Sequence, residues 1–208
     1  ADRFLLLSLL LCLLPVCLSC PALCRCFSRR AEVVCDSTPF DSFPSDSLPQ
    51  NTSILTIQFT NISTITETHL NRTPNLQELH LFSNQIQNLG PHLLRGLPKL
   101  RSLDLTDNKL TNLPANVFKN STLTWLDLSG NRLTKIPGSL FGKLPNLDNL
   151  DLPNNRLEKV TERSLDALTK LERLNLNNNK INTLDSTLQT MAPGSPSLSN
   201  LKCGCGSV

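Results

Sequence analysis

The sequence predicts an α/β chain wound into a right-handed solenoid, with a parallel β-sheet on its concave face and a disulfide-rich cap at its N-terminal end. Three features predict it. Leucine and isoleucine recur in one pattern at intervals of 24 residues. Four cysteines crowd together ahead of the first copies. A short apolar leader precedes the cysteines and implies an oxidising, secretory setting in which disulfides persist.

Residues 1–19 read as a signal peptide. One arginine is followed by about fifteen residues from Phe4 to Leu18 that are almost all apolar; a membrane-spanning helix needs roughly 20. Small residues at Cys17 and Ser19 suit cleavage before Cys20. The alternative is an N-terminal membrane anchor, which that length disfavours.

Residues 20–51 form a cysteine-rich flank. Cys12 and Cys17 leave with the leader, while Cys20, Cys24, Cys26 and Cys35 are spaced C-x3-C-x-C-x8-C. Two disulfides are the expected reading. The rival is a zinc site, which would favour paired C-x2-C spacing with histidine close by. His69, His80 and His92 all lie far along the chain.

Residues 52–190 hold six copies of the pattern. In five of them Leu76, Leu79, Leu81, Asn84, Ile86 and Leu89 set the template, and the asparagine slot returns as Asn108, Asn131, Asn155 and Asn179. The first copy is weaker, with Thr60 in that slot. The steps are 24 residues, except for one of 23 between Leu100 and Leu123. This is the leucine-rich repeat pattern L-x-x-L-x-L-x-x-N-x-L. The second and third leucines are two residues apart and therefore share one face of a strand. No copy can bury its apolar set alone, so stability comes from stacking. The asparagine is placed to satisfy backbone groups where the strand ends. Leu70, Leu94, Phe118, Phe141 and Leu165 turn inward from the return arcs, and Pro98 and Pro145 argue for irregular or one-turn structure there.

Residues 191–208 look like an incomplete repeat or a truncated tail, starting at Leu198 and Leu201 and holding Cys203 and Cys205. A solenoid needs a polar cap. The inner leucines of the last full copy are therefore expected to face water unless the natural chain continues or a partner covers that end.

Strand alternation sorts the remaining residues. Trp125, the chain's one tryptophan, precedes the second leucine of its copy and points out onto the concave face. Its column reads Ile54, Glu78, Ser102, Trp125, Asn149, Arg173; the next reads Thr56, His80, Asp104, Asp127, Asp151, Asn175; the third holds Phe82 between Gln58 and Thr106. Trp125 and Phe82 read as exposed aromatic anchors, a type enriched at interface hot spots. Asp104, Asp127 and Asp151 read as an acidic ridge that attracts a cationic protein, although aspartate between strand leucines is also ordinary in such repeats. His80, beside Asp104 on the same face, belongs with these protein-binding residues; the two read as a solvated pair, with a pH-sensitive contact as the alternative.

Composition excludes several classes. Lys+Arg number 20 and Asp+Glu 17, a net +3 with no basic run, so a nucleic-acid partner is not expected. No nucleophile, base and acid are brought together by the repeat, so no catalytic residue, cofactor or metal is expected. Four sequons, at Asn51, Asn61, Asn71 and Asn120, fit a secreted glycoprotein. Asn71 is the weakest, because Pro74 follows its acceptor threonine.

With CPALCRCFSRRAEVVC ahead of the repeats, the chain resembles extracellular leucine-rich repeat proteins with a cysteine-rich N-terminal flank. The resemblance implies pairing of Cys20 with Cys26 and of Cys24 with Cys35. The stretches LPQNTSILTIQFTNISTI and LQELHLFSNQI are similar to the group of leucine-rich alpha-2-glycoprotein and the beta-type phospholipase inhibitors of snake plasma. That likeness implies a secreted, non-enzymatic glycoprotein that binds small, often basic, proteins. The C-terminal cysteine-rich flank of that family does not appear in full, and the CGC at Cys203–Cys205 reads as its remnant. Two other readings remain open: the outer part of a membrane receptor or matrix protein, and a non-catalytic subunit of a plasma enzyme.

Overall fold

The computed structural model describes residues 20–138, 140–160, 165, 167–181 and 183–184. The expected signal peptide (1–19) and tail (191–208) lie outside the described residues, as do Cys12, Cys17, Cys203 and Cys205.

An eight-stranded sheet runs the length of the repeats. Its strands are β1 (Arg25–Phe27), β2 (Glu32–Asp36), β3 (Ile54–Gln58), β5 (Glu78–His80), β7 (Ser102–Asp104), β8 (Trp125–Asp127), β9 (Asn149–Asp151) and β11 (Arg173–Asn175). β1 is antiparallel to β2, and every other neighbour is parallel. Four two-residue strands on the return side pair in parallel: β4 (Thr64–Ile65) with β6 (Asn88–Leu89), and β10 (Lys159–Val160) with β12 (Thr183–Leu184). Parallel strands need a crossover between them, and each repeat supplies one.

Among the described residues the crossovers carry little helix: a four-residue helix, α1 (Glu67–Leu70), a 3-10 turn at Phe141–Lys143, and helical backbone at Leu165. The proline-bearing arcs therefore take the irregular form expected of them. Their inward residues close the core from the convex side. Phe118 and Phe141 are fully buried, as are the strand leucines Leu79, Leu81, Leu103, Leu105, Leu126, Leu128, Leu150 and Leu152.

The asparagines form a ladder between these layers. Asn131 shows the geometry. Its Nδ2 donates to the carbonyls of Leu105 (2.9 Å) and Leu128 (3.1 Å), and its Oδ1 accepts from the N–H of Leu110 (3.0 Å). Asn108, Asn155 and Asn179 repeat it in their own turns. In the first copy the Thr60 hydroxyl and N–H both donate to Asn84 Oδ1. Threonine cannot reach two carbonyls as an amide does, but it joins the ladder as a terminal donor.

The cap is covalent. Cys20 is bonded to Cys26, and Cys24 to Cys35, which rules out a zinc site at these thiols. Cys35 lies in β2, fully buried and in register with Ile57, so the second disulfide anchors the flank to the first turn of core. At the other end Leu171, Leu174 and Leu176 are buried. They join the same core as Leu147, Leu150 and Leu152.

Candidate functional site: the concave sheet face

Parallel register turns each repeat position into a row across the sheet. Ile54, Glu78, Ser102, Trp125, Asn149 and Arg173 are aligned strand by strand, and so are Thr56, His80, Asp104, Asp127, Asp151 and Asn175. Backbone bonds such as Ser83 N–H to Thr106 and Asp107 N–H to Ser129 carry the ladder past the strand ends, where Phe82 stands in the third row. The strand leucines point down and these residues point away from the core, as the two-residue alternation requires.

The aromatics are less exposed than alternation alone implies. Trp125 and Phe82 are both half-buried. Side chains on neighbouring strands stand about 4.8 Å apart, so a large ring is partly covered by its neighbours. Phe82 meets Phe59 edge-on, with ring centroids 6.0 Å apart. Phe59 is 55% exposed, and its backbone has φ of 54°. The same position in other repeats also has positive φ but is filled by Ser83, Asp107, Gly130 or Asn154. A phenylalanine there is a real outlier, and such strain clusters at functional sites. Sequence reasoning missed Phe59. The available signal was an aromatic in the slot just before the asparagine position, where the other copies place small or polar residues. Phe27, 44% exposed, adds a further ring at the capped edge of the face, opposite Glu32.

The acidic row is a graded electrostatic unit. Asp104 Oδ1 accepts from the Thr106 N–H (2.9 Å), and Asp127 Oδ1 accepts from the N–H and hydroxyl of Ser129. Asp151 is 6% exposed, with the Arg173 guanidinium 3.5 Å from its Oδ1, an ion pair without a well-formed hydrogen bond. Burial pushes the Asp127 carboxyl up; the Ser129 bonds oppose this, but the charges of Asp151 and Asp104 add to it, and the net shift is upward. Burial also raises Asp104, but its contacts with His80 and Thr106 more than offset this and hold it below the usual range.

His80 differs from the expected solvated pair. Its Nε2 is 3.2 Å from Glu78 Oε2 and its Nδ1 is 3.8 Å from Asp104 Oδ2, with only 24% of the side chain exposed. The Asp104 carboxylate raises its pKa above the ordinary histidine value, burial opposes this, and Glu78 adds to the rise. On the return arcs, His69 is structural: it stacks on Phe43 at 5.5 Å and accepts from the Thr66 N–H.

The four sequon asparagines, Asn51, Asn61, Asn71 and Asn120, are all exposed. The Thr73 hydroxyl of the Asn71 sequon is buried and donates to the Leu70 carbonyl. Among the described residues no cluster of side chains could hold a metal ion, and no helix is long and apolar enough to cross a membrane.

Such a molecule is a repeat solenoid that presents one row of side chains per position on a concave sheet. Residues 50–110, 100–157, 121–181 and 145–201 match the family model described as leucine rich repeat. The chain belongs to the leucine-rich repeat family. It is 40% identical over 115 residues to reticulon-4 receptor-like 2 of Rattus norvegicus, covering 55% of this chain and 27% of that protein. It is 36% identical over 100 residues to human epiphycan, covering 48% and 29%. It is 41% identical over 64 residues to phospholipase A2 inhibitor beta of Elaphe climacophora, covering 31% and 19%. The chain thus spans less than a third of the length of each of these relatives. Among solved structures, a leucine-rich repeat protein of Leptospira interrogans superposes with a TM-score of 0.65 at 26% identity, over 80% of this chain and 40% of the other. An internalin from Listeria monocytogenes shares the fold, with a TM-score of 0.58 at 24% identity over 80% and 44%.

Proposed function

We propose that this chain is a secreted, non-enzymatic binding glycoprotein whose concave face holds a cationic extracellular protein. The observation that carries the reading is one row that places Asp104, Asp127 and Asp151 side by side, next to the Trp125 row. Like charges on adjacent strands destabilise a sheet. A partner that inserts Lys or Arg side chains along the row relieves that repulsion, while Trp125 and Phe82 supply apolar contact. Cysteines locked in disulfides and four exposed sequon asparagines support an extracellular setting.

Within the family we assign the chain to the group of leucine-rich alpha-2-glycoprotein and the beta-type phospholipase inhibitors, supported by the 41% identity to the Elaphe inhibitor. A second reading, the ligand-binding part of a larger receptor, is favoured by the 40% identity to a reticulon-4 receptor-like protein of which this chain covers 27%. Both readings use the same face.

The test is capture of basic extracellular proteins by the purified chain, then titration of the captured ligand against Trp125→Ala. A hot-spot tryptophan loses about 2 kcal/mol or more on truncation, close to a thirtyfold rise in Kd. An unchanged Kd with retained folding removes Trp125 from the interface.

A further inference from the structure

A second charged surface lies on the edge of the solenoid where the strands end and the chain bends toward the return arcs. The residues after Asn108, Asn131, Asn155 and Asn179 are Lys109, Arg132, Arg156 and Lys180. Backbone bonds hold these positions in line, each N–H donating to the preceding repeat: Lys109 to Ile86, Arg132 to Leu110, Arg156 to Leu133, Lys180 to Leu157. At one strand spacing per step, the four cations span roughly 15 Å. Arg132, Arg156 and Lys180 are exposed, and Lys109 is half-buried. The ion pairs among the described residues join Arg30 to Glu32, His80 to Glu78 and Asp104, and Arg173 to Asp151, so none neutralises this row.

Lys109, Arg132 and Arg156 line a polar groove of about 450 Å³. Asp107 is the one carboxylate in its wall, and Asn84, Gln85 and Asn154 contribute amides. Three residues further along the chain, exposed Lys135 and Lys159 reinforce the positive edge, against one exposed acid, Glu158. The concave face beside this edge is acidic, so a polyanion is drawn to the edge and repelled from the face. The row begins, two repeats earlier, at the sequon Asn61 and at Gln85, and turns cationic only from Lys109.

We propose that this groove binds a sulfated polysaccharide of the extracellular matrix. A regular row of cations at fixed rise matches a linear chain of repeating anions. The groove wall contains no aromatic residue, whereas single-stranded nucleic acid is held by base stacking on aromatic rings. Its amides and guanidinium groups suit sulfates and sugar hydroxyls. The site is separate from the concave face and stands without the protein-ligand reading above.

The test is binding of a size-defined heparin fragment to the full chain across a salt series. The triple variant Lys109→Ser, Arg132→Ser, Arg156→Ser should raise the Kd at least about tenfold, and flatten the plot of log affinity against log salt by about 2, as loss of three cation contacts to a flexible polyanion predicts. The control triple Arg95→Ser, Lys119→Ser, Lys143→Ser carries the same charge change on the return arcs and should move the Kd less than about twofold. Trp125→Ala should leave heparin binding intact, which separates this site from the concave one. The proposal is overturned if both triples lose equally, if fully desulfated heparin binds as well, if single-stranded DNA of equal charge competes better, or if Trp125→Ala abolishes binding while the groove triple does not.

Discussion

Asn131→Ala should destabilise the fold by about 3 kcal/mol, and the structure shows how that figure arises. The Leu110 N–H loses Asn131 Oδ1 at 3.0 Å and has no other protein acceptor. A buried donor left alone costs about 1–3 kcal/mol. The carbonyls of Leu105 and Leu128 lose one donor each, at 2.9 and 3.1 Å, but keep the Nδ2 groups of Asn108 and Asn155. Each of those shared bonds contributes roughly 0.5–1 kcal/mol. The assay is urea unfolding followed by fluorescence of Trp125, which lies on the strand of the same repeat as Asn131. Asn131→Asp sharpens the test, since it keeps the acceptor for Leu110 but sets a carboxylate oxygen against two carbonyls; it should be at least as damaging as alanine. Asn112→Ala, which removes an exposed amide 3.3 Å from Thr111 Oγ1, should be nearly neutral. A loss below about 1 kcal/mol at Asn131, on the scale of single neutral bonds, or one matching Asn112, would refute the ladder as a source of stability.

Further predictions concern the acidic row. Because His80 has a raised pKa in the folded state, its stabilising contribution is fully present below the unfolded histidine value near 6.5. That contribution fades as pH rises through the folded pKa; urea midpoints measured from pH 5 to 9 should show this slope, and His80→Gln should flatten it. Asp127 is an acid with a raised folded pKa, so its charge opposes folding at neutral pH and the penalty is relieved as pH falls through that pKa. Asp127→Asn retains the Oδ1 acceptor for Ser129 and should raise the melting temperature at pH 7; a lowered one would show that the charge repulsion is not felt. The same substitution should weaken a cationic protein ligand, measured as a slower association rate at low salt.

Much of the fold is legible because burial and spacing are tied together. Leu103 and Leu105 are two residues apart and both fully buried, and the residue between them, Asp104, has to face the other way. Thus the concave rows containing Trp125, His80 and Asp127 could be written down before any coordinates. The degree of exposure could not. Trp125, Phe82 and Asp151 are more covered than alternation implies, because neighbouring repeats crowd each row. Phe59 was hidden for a different reason: its prominence comes from a left-handed backbone position at the end of the weakest copy, which lacks the asparagine that marks that bend elsewhere.

The sequence by itself determined the solenoid, its inner leucines, the asparagine ladder and the order of residues along each row. A 24-residue period leaves only one way to bury every apolar position at once. The tertiary structure decided what happens between repeats: which carboxylates bracket His80, how Asp127 feels Asp151, and that Lys109, Arg132 and Arg156 share one groove. Those cations are 23 or 24 residues apart in the chain and show no basic run, yet stacking brings each within one strand spacing of the next. Charge density is a property of space, and here only the winding of the chain creates it.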